Sequence, residues 1–192
     1  MHGPPDRGSA TDEELAAWSA SGDRRAFDEL VVRHGPHALR VAARLVRDAA
    51  MAEDMVQEAF VRCWSQIRRF DARRARFTTW LNRIVVNLCI DVKRRKEPQP
   101  LPENIELIDP AASADEMMES NERDTVLAQA LEELPARQRA ALMLVYDEGL
   151  SGAEAARVLG SSAKAIERLL ARARTHLRVR LLSRQPSESQ RC

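Results

Sequence analysis

Residues 51–96, MAEDMVQEAFVRCWSQIRRFDARRARFTTWLNRIVVNLCIDVKRRK, decide the class of fold. Apolar residues recur three and four positions apart from Met51 to Ile67, which predicts an amphipathic helix with one buried side. The other side of this helix is acidic over about two turns. Its polar residues are Glu53, Asp54, Gln57 and Glu58.

The charge reverses in the second part of this stretch. Residues 61–96 contain eleven Arg or Lys against two acids. Residues 69–77 are polar and lack a sustained apolar period, so they predict a loop, and Thr78 or Thr79 is the expected cap of the helix that follows. An acidic helix face beside a basic surface indicates two different partners at one small domain. The aromatic residues among the basic ones are Phe70, Phe77 and Trp80.

The composition favours an all-α protein. Apolar residues make up 44% of the 192-residue chain, whereas aromatic residues make up 4% and only seven residues are glycine. This profile is typical of helical rather than sheet proteins. No apolar run approaches the roughly 18 residues that span a bilayer, and the first residues lack the basic start and apolar core of a signal peptide. We therefore expect a cytoplasmic protein without a membrane span.

Residue types that carry chemistry are scattered along the chain. Cys63, Cys89 and Cys192 are far apart and are not grouped with the four histidines. The first two lie on predicted apolar faces, where a thiol behaves as a small hydrophobic group. No nucleophile–base pair, glycine-rich phosphate loop or catalytic arrangement of paired carboxylates can be read from the sequence. We therefore expect no catalytic residue, metal site or cofactor, while a redox role of the cysteines stays open.

The distribution of charge along the chain indicates a nucleic-acid ligand. Residues 61–96 and 160–192 are basic blocks, with eleven basic against two acidic residues and eight against two. Residues 97–124 between them carry one basic and nine acidic residues. Segregation of this kind is a stronger signal than the net charge of +1, because ordinary solvated helix faces would mix the two signs.

Start and stop signals place helices before residue 51. Thr11 and Glu14 form a capping box for a short helix, which Gly22 ends. A second helix begins near Arg25 and contains a proline at position 36. Because proline removes a hydrogen bond and crowds the preceding turn, either a kinked helix or two shorter helices is possible.

A proline-rich, acidic segment divides the chain. Its prolines prevent a continuous helix and its acids repel one another, which predicts a flexible linker. Because a core is not easily shared across such a segment, we predict two small helical domains. The predicted organisation is an N-terminal tail with a short helix at 1–23, a first domain at 24–96, the linker at 97–121, a second domain at 122–182 and a C-terminal tail at 183–192.

The second domain contains a predicted helix-turn-helix. Ser151 and Glu154 form a capping box for a short helix that ends at Gly160, and Ser161 or Ser162 caps a longer basic helix. A short helix, a tight turn with glycine and a longer basic helix are typical of this DNA-binding motif.

The last helix has an apolar back and a basic front. An apolar back suits a scaffold, and a cationic front suits the phosphate-lined major groove, although a surface helix with solvated arginines is the alternative. Glu167 would accept from a cytosine amino group or position a neighbouring arginine. Arg172 and Arg174 are expected at phosphates. The side chains expected to reach base edges are Ser162, Ala163, Lys164 and Arg168.

Two aromatic residues beside the predicted loop have two interpretations. Phe77 and Trp80 lie near Arg73, Arg74 and Arg76 in the sequence, so their rings could stack on unpaired bases. Core packing is the alternative, particularly for Trp80, which belongs to the apolar stripe of its helix. Spacing alone leaves both interpretations open.

Several ordered motifs resemble the extracytoplasmic-function (ECF) group of bacterial sigma factors. The resemblance covers about residues 24–96 and 122–182. Its segments are AFDELV at 26–31, AEDMVQEAF at 52–60 leading to Trp64, FTTWL at 77–81 through Asn87 to Asp91, LP at 134–135, RQR at 137–139, LSGAEAARVLG at 150–160 and RAR at 172–174.

The resemblance implies a transcription initiation factor that binds core RNA polymerase and the −10 and −35 elements of promoter DNA. The acidic helix face would dock on the clamp of polymerase, the last helix would read the −35 element, and the linker would run through the nucleic-acid channel of polymerase. An anti-sigma factor would hold the free protein inactive. The residues implied in recognition and opening of the −10 element are Arg73, Arg74, Arg76, Phe77, Thr79, Trp80, Arg83, Asn87, Arg94 and Arg95.

Two other classes of function compete with this one. A stand-alone helix-turn-helix regulator with an N-terminal helical sensor domain would bind DNA tightly and specifically without polymerase. A DNA recombinase or nuclease would require a catalytic nucleophile or a cluster of metal ligands, and no such arrangement can be read from the sequence.

Overall fold

A computed structural model of the chain describes residues 6–96 and 120–182, without the side chains of Lys96 and residues 120–124. The predicted linker, apart from its last two residues, and the predicted C-terminal tail with Cys192 lie outside the described residues. Every regular element within the two described ranges is helical, as the composition predicted. No helix in them is long and apolar enough to cross a membrane.

The helices fall into two groups along the chain. The first group comprises α1 (Asp12–Ala20), α2 (Arg24–Val46), α3 (Ala49–Gln66), a short 3-10 helix (Ile67–Arg69) and α4 (Phe77–Lys96). The second group comprises α5 (Ser120–Glu132), α6 (Ala136–Leu142), a π-helical turn (Met143–Asp147), α7 (Gly152–Leu159) and α8 (Ala163–Leu182).

Helix starts follow the local signals of the sequence. Both predicted capping boxes are confirmed: the Thr11 hydroxyl accepts from the backbone of Glu14, the Ser151 hydroxyl accepts from the backbone of Glu154, and each glutamate accepts in return. The Ser162 hydroxyl accepts a 3.2 Å hydrogen bond from the third residue of α8. Each cap satisfies backbone N–H groups that have no partner inside the helix.

The start of α4 differs from the prediction, and the course of α2 decides between the two alternatives for Pro36. Helix α4 begins at Phe77, so the prediction that Thr78 or Thr79 caps it is wrong. Helix α2 runs without a break through Pro36. Proline costs this helix a hydrogen bond, but α2 is held along its length because it packs against α1, α3 and α4.

The first group of helices forms a core that includes Ala10, Leu15 and Ala16 from the predicted tail. Helix α1 packs against α2, and Leu15 is fully buried. Arg33 on α2 donates hydrogen bonds of 2.7 to 2.9 Å to the backbone carbonyls of Arg7, Gly8 and Ala10. Residues 7–20 therefore pack with the first group of helices.

The two groups of helices correspond to the two small helical domains that the sequence predicted, and their buried apolar residues adjoin one another. The buried apolar residues form one continuous cluster with members from both groups. Helix α4 makes this possible, since it packs against α2 and α3 and also against α6 and α7. It buries Leu81 and Val85 on one side and Val86 and Ile90 on another. The sequence pattern identified only the first of these sides.

The predicted helix-turn-helix is formed by α7 and α8. Gly160 ends α7 with a φ of 58°, a left-handed conformation that glycine adopts without steric cost. Helix α8 then packs on α5, α6 and α7 through a buried side that includes Ile166, Leu170 and Ala173. This burial fixes which side of α8 remains in contact with solvent.

Candidate functional site

The acidic face of α3 is exposed on a helix whose other side is buried. Glu53, Asp54 and Gln57 are exposed, and Glu58 is partly exposed. Arg62 Nε donates to Glu58 Oε1 at 2.6 Å. The opposite side of α3 is anchored in the core by Ala52, Ala59, Phe60 and Cys63. The helix therefore presents carboxylates in fixed positions, as a docking surface for a cationic partner requires.

Asp71 organises the basic loop between the 3-10 helix and α4. Its carboxylate accepts from both the backbone nitrogen and the Nε of Arg73 at 3.0 Å. These hydrogen bonds hold the pKa of Asp71 below its usual value. The side chains of Arg73 and Arg74 remain 91% and 87% exposed. One carboxylate therefore orders the loop while two guanidinium groups stay accessible to an anionic ligand.

An aromatic cluster supports this loop from inside the domain. Phe77 is fully buried, with its ring centroid 5.3 to 5.8 Å from the rings of His34, Phe70 and Trp80. Of the two interpretations that the sequence left open for Phe77, the structure favours core packing, because protein side chains surround its ring. Trp80 is half-buried against Phe70, at 5.3 Å between centroids. Core packing accounts for Phe77 entirely and for Trp80 in part.

The other residues predicted for the −10 element lie along α4. Arg83, Arg94 and Arg95 are exposed, whereas Thr79 and Asn87 are half-buried. Helix α4 therefore presents cations at both its middle and its C-terminal end. The cations at the C-terminal end also suit the negative pole of the helix dipole.

A cavity of about 310 Å³ separates the basic loop from α7. Its walls come from both groups of helices: Ala72, Arg73, Arg74, Ala75, Arg76, Thr79, Glu154 and Arg157. Hydrogen bonds from Ser151 hold the pKa of Glu154 below its usual value, and the charges of Arg157 and Arg76 add to this effect. The cavity wall therefore carries four arginines against one carboxylate.

Sequence reasoning missed the contribution of Arg157 to this cavity. Arg157 lies on the outer side of α7 and has no unusual neighbours in the sequence. Its place beside the loop depends on how α7 packs against α4. Charge segregation indicated the basic loop but contained no signal for this long-range contact.

Helix α8 presents most of its predicted DNA residues to solvent. Ser162, Ala163, Lys164, Glu167 and Arg168 are all exposed near its N-terminus. They lie on the side opposite the buried residues of α8, so they form one front. This is the geometry in which a recognition helix inserts its first turns into the major groove.

The remaining α8 residues and one missed residue lie close to this front. Arg174 is exposed and its Nε donates to the Leu170 carbonyl at 3.4 Å, while Arg172 is half-buried. Arg137 Nη2 donates to the Leu159 carbonyl at 3.0 Å, in the last turn before the recognition helix. Arg137 therefore positions the turn of the motif, a role that the sequence did not reveal.

Comparisons with known proteins match both groups of helices. Residues 30–98 match the family described as Sigma-70 region 2, and residues 125–177 match the family described as Sigma-70, region 4. The chain is 36% identical to the ECF RNA polymerase sigma factor SigM of Mycobacterium tuberculosis over 171 residues, covering 89% of this chain and 85% of the relative.

Two further similarities extend over nearly the whole chain. RNA polymerase sigma factor NccH of Alcaligenes xylosoxydans is 32% identical over 182 residues, covering 92% of this chain and 97% of the relative. Among solved structures, CnrH in complex with the cytosolic domain of CnrY is similar, with 32% identity and a TM-score of 0.65. That similarity covers 90% of this chain and 98% of CnrH.

Proposed function

We propose, from the premise that this chain belongs to the ECF group of bacterial sigma factors, that three of its surfaces divide the work of promoter recognition. As an alternative sigma factor, the chain directs RNA polymerase in transcription initiation. The chemistry of RNA synthesis belongs to polymerase. The division of roles among the residues of this chain rests mainly on one observation, the exposed front of α8 over a buried back.

The first surface is the acidic face of α3, which docks on the clamp of core polymerase. Asp54 and Gln57 lie one turn apart and both are exposed. A rigid helix that presents carboxylates loses little conformational freedom on binding, and complementary charge accelerates association.

The second surface is the basic loop with the exposed cations of α4, which engages the −10 element. Flipping a base out of the duplex costs a few kcal/mol. The exposed guanidinium groups of Arg73 and Arg74 offset part of this cost by contacts to phosphates and to the unstacked base. Phe77 contributes from beneath, because its ring supports the loop without touching DNA.

The third surface is the front of α8, which reads the −35 element in duplex DNA. Lys164 and Arg168 are one turn apart near the N-terminus of the helix, within reach of base edges. Arg174 lies farther along, where a recognition helix leaves the groove floor and approaches phosphates. The Arg137 hydrogen bond to the preceding turn keeps this front at a fixed angle to its scaffold.

A regulatory partner is also part of the proposal. CnrH, to which this chain is similar over nearly its whole length, was solved in complex with the cytosolic domain of CnrY. We extend this to an anti-sigma factor that binds this chain and holds it inactive until it is released.

Run-off transcription tests the proposal. Purified core polymerase is combined with this chain and a library of promoter sequences, and the selected templates are sequenced. We expect transcripts only when the chain is present, from templates that share two elements at a fixed separation. Sequence-specific binding by the free chain, with no effect on polymerase, would instead identify a stand-alone regulator.

Substitutions on α3 test the docking surface. Asp54→Arg with Glu58→Arg should abolish co-elution with core polymerase while leaving the helical content unchanged. Asp28→Arg, at another exposed aspartate of the same domain, is the control and should co-elute normally. Unchanged co-elution of the double variant would contradict the assignment of α3.

A further inference from the structure

We propose that His34 of α2 is a positioning residue for the basic loop. Its imidazole packs against the aromatic cluster beneath the loop, and Asp12 of α1 holds that imidazole in place. The inference rests on the proposed role of the loop in −10 recognition. It adds that α1, the helix at the start of the described chain, contributes to promoter opening through His34.

The imidazole of His34 is held by a carboxylate. His34 Nε2 lies 2.8 Å from Asp12 Oδ2, and the two side chains are 13% and 24% exposed. An ionised carboxylate can only accept a hydrogen bond, so Nε2 is the donor. The second oxygen of this carboxylate is also occupied, because Arg33 Nη1 donates to Asp12 Oδ1 at 3.4 Å. Both oxygens of Asp12 are engaged, and the carboxylate therefore holds the imidazole in one orientation.

The ring of His34 completes the aromatic cluster around Phe77. The two ring centroids lie 5.3 Å apart, with 45° between the ring planes. The other two rings that contact Phe77 come from the same stretch of chain as the loop, since Phe70 begins the loop and Trp80 lies in the first turn of α4. His34 comes from α2 instead. Its contact with Phe77 therefore ties the support of the loop to a separate helix of the domain.

Helix α1 contacts this support at a second point. It packs against the 3-10 helix that leads into the loop, where Arg68 Nε donates to the Ala20 carbonyl at 3.3 Å. Asp12 is the first residue of α1 and Ala20 is its last. One helix therefore braces the chain where the loop begins, and braces Phe77 through His34 where the loop ends.

The hydrogen bonds within the loop shape it without fixing its place on the domain. The carboxylate of Asp71 accepts from the backbone nitrogen of Arg73, and the Asp71 carbonyl accepts from that of Arg74 at 3.0 Å. These partners are close neighbours in the sequence, so the place of the loop depends on the rings beneath it. A loop held in place loses less conformational freedom when its guanidinium groups bind DNA. The contact between His34 and Phe77 supplies this restraint.

A purely structural role is the alternative for His34. A histidine that only packs would lower the stability of the chain, and all activities would fall in proportion to the folded fraction. A positioning residue would slow promoter opening while leaving the −35 surface in another group of helices unchanged. The two roles therefore differ in a ratio that can be measured.

Four variants separate the contributions of the imidazole. His34→Gln keeps a donor for Asp12 but has no ring to pack against Phe77. His34→Phe keeps a ring but has no donor. Asp12→Ala removes the acceptor. Glu13→Ala is the control, because it removes another carboxylate from the first turn of α1 with the same change in net charge.

The rate of promoter opening by core polymerase with this chain measures the function of the loop. The template is one selected by run-off transcription, with 2-aminopurine in its −10 element, whose fluorescence rises when the base unstacks. We expect His34→Gln to slow opening about two- to tenfold, the range that one contact between aromatic rings supports. His34→Phe should slow opening less, and Glu13→Ala should leave the rate unchanged. An unchanged rate in His34→Gln, or a slower rate in His34→Phe than in His34→Gln, would overturn the inference.

Binding to a duplex that carries the −35 element alone separates positioning from stability. This binding uses the front of α8, so the affinity of the polymerase complex for the duplex should be the same for all four variants. Equal reductions in this affinity and in the opening rate would identify His34 as a purely structural residue, against the inference.

A double-mutant cycle tests whether Asp12 acts through His34. Asp12→Ala should slow opening in the natural background and cause no further slowing in the His34→Phe background, where the donor is already absent. Additive effects of the two substitutions would mean that Asp12 and His34 act independently, which contradicts the proposed brace.

Hydrogen exchange of the free chain tests the placement of the loop without polymerase. The backbone amides of Arg73, Arg74 and Ala75 all donate to Asp71, so their exchange reports how well the loop is held. His34→Gln should raise the exchange rate of residues 70–76 and leave that of residues 163–170 in α8 unchanged. Unchanged exchange in the loop would overturn the inference. Failure of the unmodified chain to open any promoter would count against the proposed function alone, because the exchange result does not depend on polymerase.

Discussion

Helices α4 and α8 have the same length of twenty residues and were both expected to contact DNA, yet they are buried differently. Helix α8 packs on α5, α6 and α7 and leaves its front exposed. Helix α4 lies between the two groups of helices and is buried on two sides. When only one side of a helix is buried, the sequence pattern shows which side is exposed and available to a ligand. When two sides are buried, the pattern no longer shows this.

The difference can be traced to particular positions. The buried side of α8 is a single stripe of Ile166, Leu170 and Ala173. In α4, by contrast, residues 84–90 read IVVNLCI, an almost continuous apolar run. A helix that is apolar around most of its circumference is a buried helix. This run was the available signal that α4 has a second partner within the chain.

The largest expected effect concerns the aromatic ring at the start of α4. Phe77→Ala should lower the free energy of unfolding by about 3–5 kcal/mol, because it removes a fully buried ring and leaves a cavity. Urea denaturation followed by circular dichroism measures this change. Val61→Ala, at an exposed position of α3, is the control and should change the free energy of unfolding by less than about 0.5 kcal/mol.

The same variant separates a core role of Phe77 from a DNA-stacking role. Normal stability of Phe77→Ala, together with reduced binding to single-stranded DNA, would contradict the burial of this ring. The conclusion that α4 is more deeply buried than α8 would then be wrong at Phe77, the first residue of α4.

Local features of this fold could be predicted because their causes are local. The capping boxes at Thr11 and Ser151 follow from hydrogen bonds between residues three positions apart. The exposed front of α8 follows from its single apolar stripe. The acidic face of α3 follows in the same way, since its carboxylates and its buried residues alternate with helical period.

The rest depended on contacts between distant residues. The hydrogen bond between Arg139 and the Leu45 carbonyl joins positions 94 residues apart, and nothing in either local sequence indicates it. The burial of Phe77 likewise depends on Phe70 and on His34 of another helix. The acidic segment indicated two domains, but it gave no sign that α4 of the first group packs against α6 and α7 of the second.

The next effect in size concerns the exposed front of α8. Arg168→Ala should weaken binding of the polymerase complex to the −35 element by about 1–3 kcal/mol, because an arginine that contacts bases contributes to sequence discrimination. Competition between matched and scrambled −35 sequences measures the change. Arg24→Ala on α2, another exposed arginine, is the control. Equal loss of affinity for both sequences would place Arg168 at a phosphate instead.

A smaller effect tests whether the two groups of helices unfold together. Ser151→Ala and Thr11→Ala each remove a cap, at α7 and α1, and each should cost about 1 kcal/mol of unfolding free energy. Because the core is continuous, both substitutions should shift one common thermal transition. Two separate transitions, with each variant moving only one of them, would show that the halves fold independently.

The smallest expected effect concerns the two buried thiols, which should not react with a disulfide reagent in the native chain. Cys63 on α3 and Cys89 on α4 are both buried, and burial raises the pKa of each thiol to about 12. At pH 8 both remain protonated, and only the thiolate is nucleophilic. In a Cys192→Ser background, a disulfide reagent should therefore label neither thiol in the native chain and both in denaturant.

The relative rates at the two thiols sharpen the comparison further. Cys63 is protected by the first group of helices, whereas Cys89 lies within the apolar run of α4 that also serves the second group. Urea at concentrations below the unfolding transition should raise the labelling rate of Cys89 more than that of Cys63, since transient opening exposes one side of α4 first. Equal acceleration at both thiols would mean that labelling follows global unfolding, and that α4 is held by a single core which opens as one.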